Sequence, residues 1–229
     1  MKGALLMKTS NNNPIRFWSI TSGISLLIMA IAAGYAYGFS FNQIYVENNT
    51  LQTMTNIQSN STLFYSGAIV WCLILATDII VSYGFYRFLK PIHKPIALIS
   101  GCLRLTYSIF LAIGIAFLFG KNTELFLKMW SLGLFIIGFH LVITGIGAFL
   151  STETPKLFGV LLIIAGISYS LIHGLQNFVP QAISLAAYIE SFLTIPMTVG
   201  ELSFGIWLLI KGGRKINQQP SNDPVPDAS

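Results

Sequence analysis

The chain has 229 residues, of which 54% are hydrophobic and 9% are Asp, Glu, Lys or Arg. Soluble domains carry about 25% charged residues, so this composition excludes an ordinary soluble enzyme, and its apolar content excludes intrinsic disorder. The formal charge of +5 is read as loop charge that orients a membrane protein rather than as an acidic-ligand site.

The first 14 residues, with Lys2, Lys8 and Asn11-Asn12-Asn13-Pro14, form a polar N-terminus. An apolar run over 15–39 follows. Ala30-Ile31-Ala32 loosely resembles a signal-peptidase site, but the run continues past it to a spanning length, so a retained helix is expected. Ala30, Gly34 and Gly38 recur at i, i+4 and i+8, a small-residue stripe that predicts close approach of another helix. Residues 40–62 read as a polar loop without Lys or Arg, holding two glycosylation triplets at Asn48 and Asn60 that matter only in a eukaryotic source.

Five more apolar runs cover 63–88, 96–119, 129–150, 157–178 and 191–210. Each reaches the roughly 20 residues needed to cross a hydrocarbon core about 30 Å thick. Stiff or polar turns separate them, including Lys90–Pro95 and Ser151–Lys156. Segment 181–190 fits either an interfacial helix or an extension of the last span, and Pro196 is a candidate kink. The domain is thus taken as 15–212, with 213–229 a disordered tail. The expected fold is an all-α bundle of six transmembrane helices. With the N-terminus inside, ten Lys and Arg fall in inner loops and two in outer ones, Arg104 being the thirteenth. That asymmetry predicts both termini on the cytoplasmic side.

Cys72 and Cys102 lie inside apolar runs and are expected to pack rather than to form a disulfide, and no Cys/His spacing suits zinc. No phosphate-binding glycine loop, dinucleotide fingerprint or His-Glu-x-x-His site occurs, so no cofactor is assigned. Ser168, Ser170 and His173 share a helix without a nucleophile elbow. Haem between His140 and His173 is disfavoured by a depth mismatch of about 9 Å. Nucleic-acid binding has no support, because the basic residues are juxtamembrane.

The informative feature is a charged layer. Asp78, Arg104, His140 and Glu201 come from four different spans, and each lies about 12–15 Å from the same end of its helix. A charge at a helix centre costs about 2.5–3.5 kcal/mol, an expense that thirteen Ile, Leu or Phe residues in the Arg104 span offset. Such groups turn inward and pair. The expectation is a network of Asp78, Arg104 and Glu201 with His140 beside it, supported by hydroxyls of Ser82, Ser100, Ser108, Thr144 and Thr198. Tyr107, Tyr169 and His173 are candidates for an outward extension. Two acids and one Arg leave a formal −1, so a cation or a proton on an acid or on His140 would neutralise the layer. Asp78, His140 and Glu201 also recur at offsets of 62 and 61 residues, which evenly spaced hairpins explain.

Several local patterns recur together: Ala76-Thr77-Asp78-Ile79, Tyr86–Pro91, Leu103-Arg104-Leu105, Gly138-Phe139-His140-Leu141, Ser151–Pro155, Gly159–Leu162, Ala165–Tyr169, Gly200-Glu201 and Trp207–Gly212. In this order and spacing they resemble the bacterial integral-membrane family called domain of unknown function 4386, over about residues 15–212. The resemblance implies a multi-pass protein of the bacterial cytoplasmic (inner) membrane and no established activity. Three functional readings follow. The first is binding or movement of a small solute or proton through the charged layer. The second is a structural or regulatory subunit whose charges only order the helices. The third, least supported, is an intramembrane enzyme using the same residues. The partners expected are the lipid bilayer and the solute or proton.

Overall fold

A computed structural model describes residues 13–214. The expected N-terminal and C-terminal tails therefore fall largely outside the described residues. Within them the chain forms helices and no strand. Six helices are long and apolar enough to span a membrane: α1 (Pro14–Ile44), α3 (Ser61–Leu89), α4 (Lys94–Phe119), α5 (Thr123–Leu150), α6 (Lys156–Phe178) and α7 (Ile183–Ile210). A short helix, α2 (Thr50–Ser59), lies between α1 and α3.

Several helices run beyond their apolar stretches because polar residues start them. The Asn13 side chain accepts from the amides of Ile15 and Arg16, and Asn122 accepts from Leu125. These caps satisfy amides that the first helical turn leaves orphaned. The segment 40–62 is not a plain loop. α1 continues through a π-helical stretch, Gly34–Phe41, to Ile44, and α2 then folds back. Asn49 caps α2 by accepting from Gln52, Asn56 donates to the carbonyl of Ile44 at 3.0 Å, and Ile57 is buried. Segment 181–190 resolves as an extension: a 3-10 turn, Pro180–Ala182, feeds directly into α7, which carries Pro196 in its interior.

Each spanning helix packs on its chain neighbour, and α1 also packs on α7, so the six close into a ring in sequence order. The seal between first and last helix is made at the end carrying both termini. Arg16 donates from Nη1 to the carbonyls of Leu208 (3.0 Å) and Gly212 (2.9 Å) and from Nη2 to that of Leu209 (2.6 Å). Asn13 donates to the carbonyl of Gly213 at 2.7 Å. A guanidinium here meets orphan carbonyls and the negative end of the α7 dipole together. Two turns further along α1, a Cβ on Gly23 would sit 2.6 Å from the carbonyl oxygen of Gly205, so the α1 and α7 backbones touch.

Two apolar clusters divide the ring by depth. On the termini side, Phe85, Phe88, Phe204, Trp207 and Leu208 pack with Leu141 and Leu162. On the far side, Trp71, Phe126, Leu111 and Leu118 pack with Phe41, Ile44 and Ile57. Met29 and Tyr169 touch both. The far cluster includes α1 to α5 and Tyr169 of α6 but no residue of α7.

Two expectations about small groups need correction. Cys72 and Cys102 are free, as read, yet both are exposed on the outer surface rather than packed inside. In the Ala30, Gly34, Gly38 stripe, a Cβ on Gly34 or Gly38 would meet nothing within 4 Å. Close helix approach is instead carried by Gly23 against α7 and by Gly138 against Gly166 and Gly145 against Gly159 between α5 and α6.

Candidate functional site

Between the two clusters lies the polar layer. Arg104 is buried on α4 and its Nη2 lies 2.6 Å from Oδ1 of Asp78 on α3. Ser108, one turn along from Arg104, donates to the other Asp78 oxygen. The arginine's Nη1 lies 3.2 Å from Nε2 of His140 on α5. An arginine can only donate, so Nε2 accepts, and the ring proton sits on Nδ1. From there it is donated to the carbonyl of Ser100 at 2.9 Å. The Ser100 hydroxyl completes the cluster by bonding Thr144 at 2.7 Å. The face of Phe85 covers the guanidinium, with Cζ 5.5 Å from the ring centroid. This half of the layer is packed and dry, as a buried ion pair requires if it is to offset its desolvation.

Glu201 lies elsewhere. It makes no ion pair within 4 Å among the described residues. Its carboxylate and Arg104 both line a cavity of about 290 Å³ to which all six spanning helices contribute. Aromatic side chains of Trp71, Tyr107, Trp130 and Tyr169 form much of the wall, with Met29 and Ile137. Two donors in this wall are buried without a partner, Nε of Arg104 and Nε1 of Trp71. Buried N–H groups are rarely left so, and both atoms lie behind the cavity surface, in residues that are 1% exposed.

The hydroxyls named from sequence divide. Ser100, Ser108 and Thr144 join the network, whereas Ser82 donates to the carbonyl of Gly101 at 3.0 Å and Thr198 is an exposed residue of the cavity rim. Tyr107 and Tyr169 are cavity residues. His173 heads a second polar cluster nearer the far side. Its Nδ1 lies 2.9 Å from Oε1 of Gln176, whose amide donates to Glu190 of α7 at 3.1 Å, and Asn177 donates to Ser131 at 2.7 Å. Sequence reasoning missed Gln176 and Ser131 because uncharged polar residues give no depth signal, and Glu190 because it stands just before the apolar run 191–210. It also passed over Trp71 and Trp130, which read as ordinary apolar residues until their helices are placed. No group of three or more His, Cys, Asp or Glu suited to a metal occurs among the described residues.

No solved structure matches the chain. An uncharacterized protein of Archaeoglobus fulgidus (strain ATCC 49558 / DSM 4304 / JCM 9628 / NBRC 100126 / VC-16) is 29% identical over 146 residues, covering 64% of this chain and 83% of that relative. The profile of the domain of unknown function family DUF4386 matches residues 21–123 and 121–212, nearly all of the helical ring. This chain, a multi-pass protein with six apolar helices, belongs to the DUF4386 family.

Proposed function

We propose that the protein binds, and in a full cycle translocates, a small solute or proton at the cavity between Arg104 and Glu201. One observation carries this reading. A cavity of about 290 Å³ beside the charged layer is lined by Glu201, whose carboxylate has no ion-pair partner within 4 Å among the described residues. The Asp78–Arg104 pair is mutually neutral, so the layer's uncompensated formal charge falls on Glu201. In a low-dielectric interior that charge calls for a proton or a cationic group. Asp78, His140, Ser100 and Thr144 then act as the frame that fixes the guanidinium.

A structural or regulatory role has its own support in that dry frame, which ties α3, α4 and α5 together whether or not a ligand binds. The test separates the two. The full chain is reconstituted in lipid nanodiscs, and its carboxyl infrared bands are followed through a pH titration. The expected result is one titrating carboxyl band that disappears in Glu201→Gln while thermal stability is kept. Identical titrations in wild type and Glu201→Gln would leave only the structural role. With the orientation expected from the loop charges, the cavity faces the outer half of the bilayer.

A further inference from the structure

Two charged residues line the cavity, and one of them is already answered. Arg104 lies with its guanidinium 2.6 Å from the Asp78 carboxylate and under the Phe85 ring, and it is 1% exposed. Glu201 is half-buried rather than sealed, and it has no ion-pair partner within 4 Å among the described residues. Trp130 and Tyr169, also half-buried, share the wall. Neighbouring rings hold both in place. The Trp130 centroid lies 4.9 Å from that of Trp71 and 6.1 Å from that of Phe126, whose plane is inclined by only 12°. Tyr169 stacks beside His173 at 6.1 Å. The aromatic wall is thus set before a ligand arrives, which lowers the ordering cost of binding. Thr198 at the rim is exposed, so an occupant has a way in beside α7.

We propose that the cavity takes an organic ammonium ion, with Glu201 as its counter-ion and Trp130 and Tyr169 against its alkyl groups. This rests on the cavity being a ligand site and adds the ligand's class. Other classes fail on the chemistry of the wall. An anion would face Glu201, while the one cation in the wall is committed to Asp78. A small hard cation exchanges its water for about six or more oxygens. The wall offers at most the Glu201 carboxylate and the hydroxyls of Thr198, Tyr107 and Tyr169, and no group of three or more His, Cys, Asp or Glu suited to a metal occurs among the described residues. A proton alone neutralises Glu201 but fills none of the roughly 290 Å³. An alkylated ammonium ion answers all of these features together. Its charge pairs with the carboxylate, its methyl or ethyl groups cover apolar wall such as Met29 and Ile137, and the aromatic rings attract it without demanding hydrogen bonds. The volume sets the size, because it lies at the small end of ligand pockets, about 300–1,000 Å³. That suits an ion as large as choline or tetraethylammonium.

The test uses the full chain in dodecyl maltoside, an uncharged detergent, with empty micelles subtracted. The probes are choline, its uncharged isostere 3,3-dimethylbutan-1-ol, tetraethylammonium and potassium ion. Binding is read by titration calorimetry and by tryptophan emission. In the wild type, choline is expected to bind at least about tenfold more tightly than the alcohol of the same shape. Tetraethylammonium displaces choline, and potassium chloride in large excess does not. Glu201→Gln removes the preference for choline over the alcohol. Trp130→Leu weakens choline by about threefold or more, and Glu190→Gln, which changes the other α7 carboxylate outside the cavity wall, leaves choline binding as it was. Equal binding of choline and the alcohol by the wild-type protein overturns the inference without recourse to any variant. Displacement by potassium overturns the organic class. Choline affinity kept in Glu201→Gln, or lost as far in Glu190→Gln as in Glu201→Gln, overturns the assignment to this cavity. Binding of neither choline nor tetraethylammonium overturns the ligand class, while the carboxyl titration above still decides the cavity reading separately.

Discussion

The two ends of the helical ring are built from the same kinds of helix and behave differently. At the termini side, Gly23 lies against Gly205, Arg16 caps α7, and Phe204 and Trp207 fill the centre. On the far side, α7 adds no residue to the aromatic cluster, although its Ile189, Leu193 and Met197 stay packed with the other cluster, and a cavity walled by aromatic rings lies between. The lesson is that glycine and charge placement decide where neighbouring apolar helices seal. Apolar content alone cannot, because lipid is as good a neighbour as another helix.

The comparison breaks most sharply at the layer where the halves meet. Asp78→Asn removes the counter-charge and leaves Arg104 buried and unpaired, which costs about 3–5 kcal/mol. Thermal unfolding in detergent checks this, and a paired Asp78→Asn, Arg104→Met protein is expected to recover most of the loss. If Asp78→Asn is as stable as wild type, the dry frame is not holding the ring.

Next comes a pair of identical substitutions on one helix face. Gly23→Ala places a methyl 2.6 Å from the carbonyl oxygen of Gly205 and is expected to lower stability by about 1–3 kcal/mol. Gly34→Ala meets open space and trades glycine's flexibility for a better helix former, so it is expected to raise stability by about 0.5–1 kcal/mol. Equal effects at the two positions would mean that α1 is packed as closely at Gly34 as at Gly23. Arg16→Met removes three hydrogen bonds to the end of α7 and is expected to cost about 1–2 kcal/mol. Faster proteolysis after Leu208, with the far side unchanged, is its signature. The smallest effect belongs to Cys72→Ala with Cys102→Ala, two surface sites whose replacement should stay within about 0.5 kcal/mol. In that background, Thr198→Cys reacts with a polar thiol reagent and Gly205→Cys does not.

Much of this was legible before any coordinates. Runs of 20 or more apolar residues fix six spans, because a bilayer admits few other solutions. Matching depth drew attention to Asp78, Arg104, His140 and Glu201, and depth can be counted along a helix. Azimuth is harder to count. Glu201 was read at the level of Asp78 yet makes no ion pair with Arg104 and borders a cavity with Tyr169, a result of how α7 turns against α6 and α1 that no single helix encodes. The glycine stripe misled for the same reason. Gly34 and Gly38 have the spacing of a contact face, but the helix that would meet them has already diverged. α2 escaped notice because its ten residues carry too little apolar signal, and its cap Asn49 and its tie to Ile44 through Asn56 look like any polar loop.

The Arg16 clasp also orders assembly in time. The guanidinium at the start of the first span finds its acceptors at residues 208–212, the far end of the nascent chain. The opening helix must wait in the bilayer through the insertion of every later one. Its contact with α7 forms only after residues 208–212 are made, so a chain truncated before Leu208 keeps its first span on α3 but lacks the clasp.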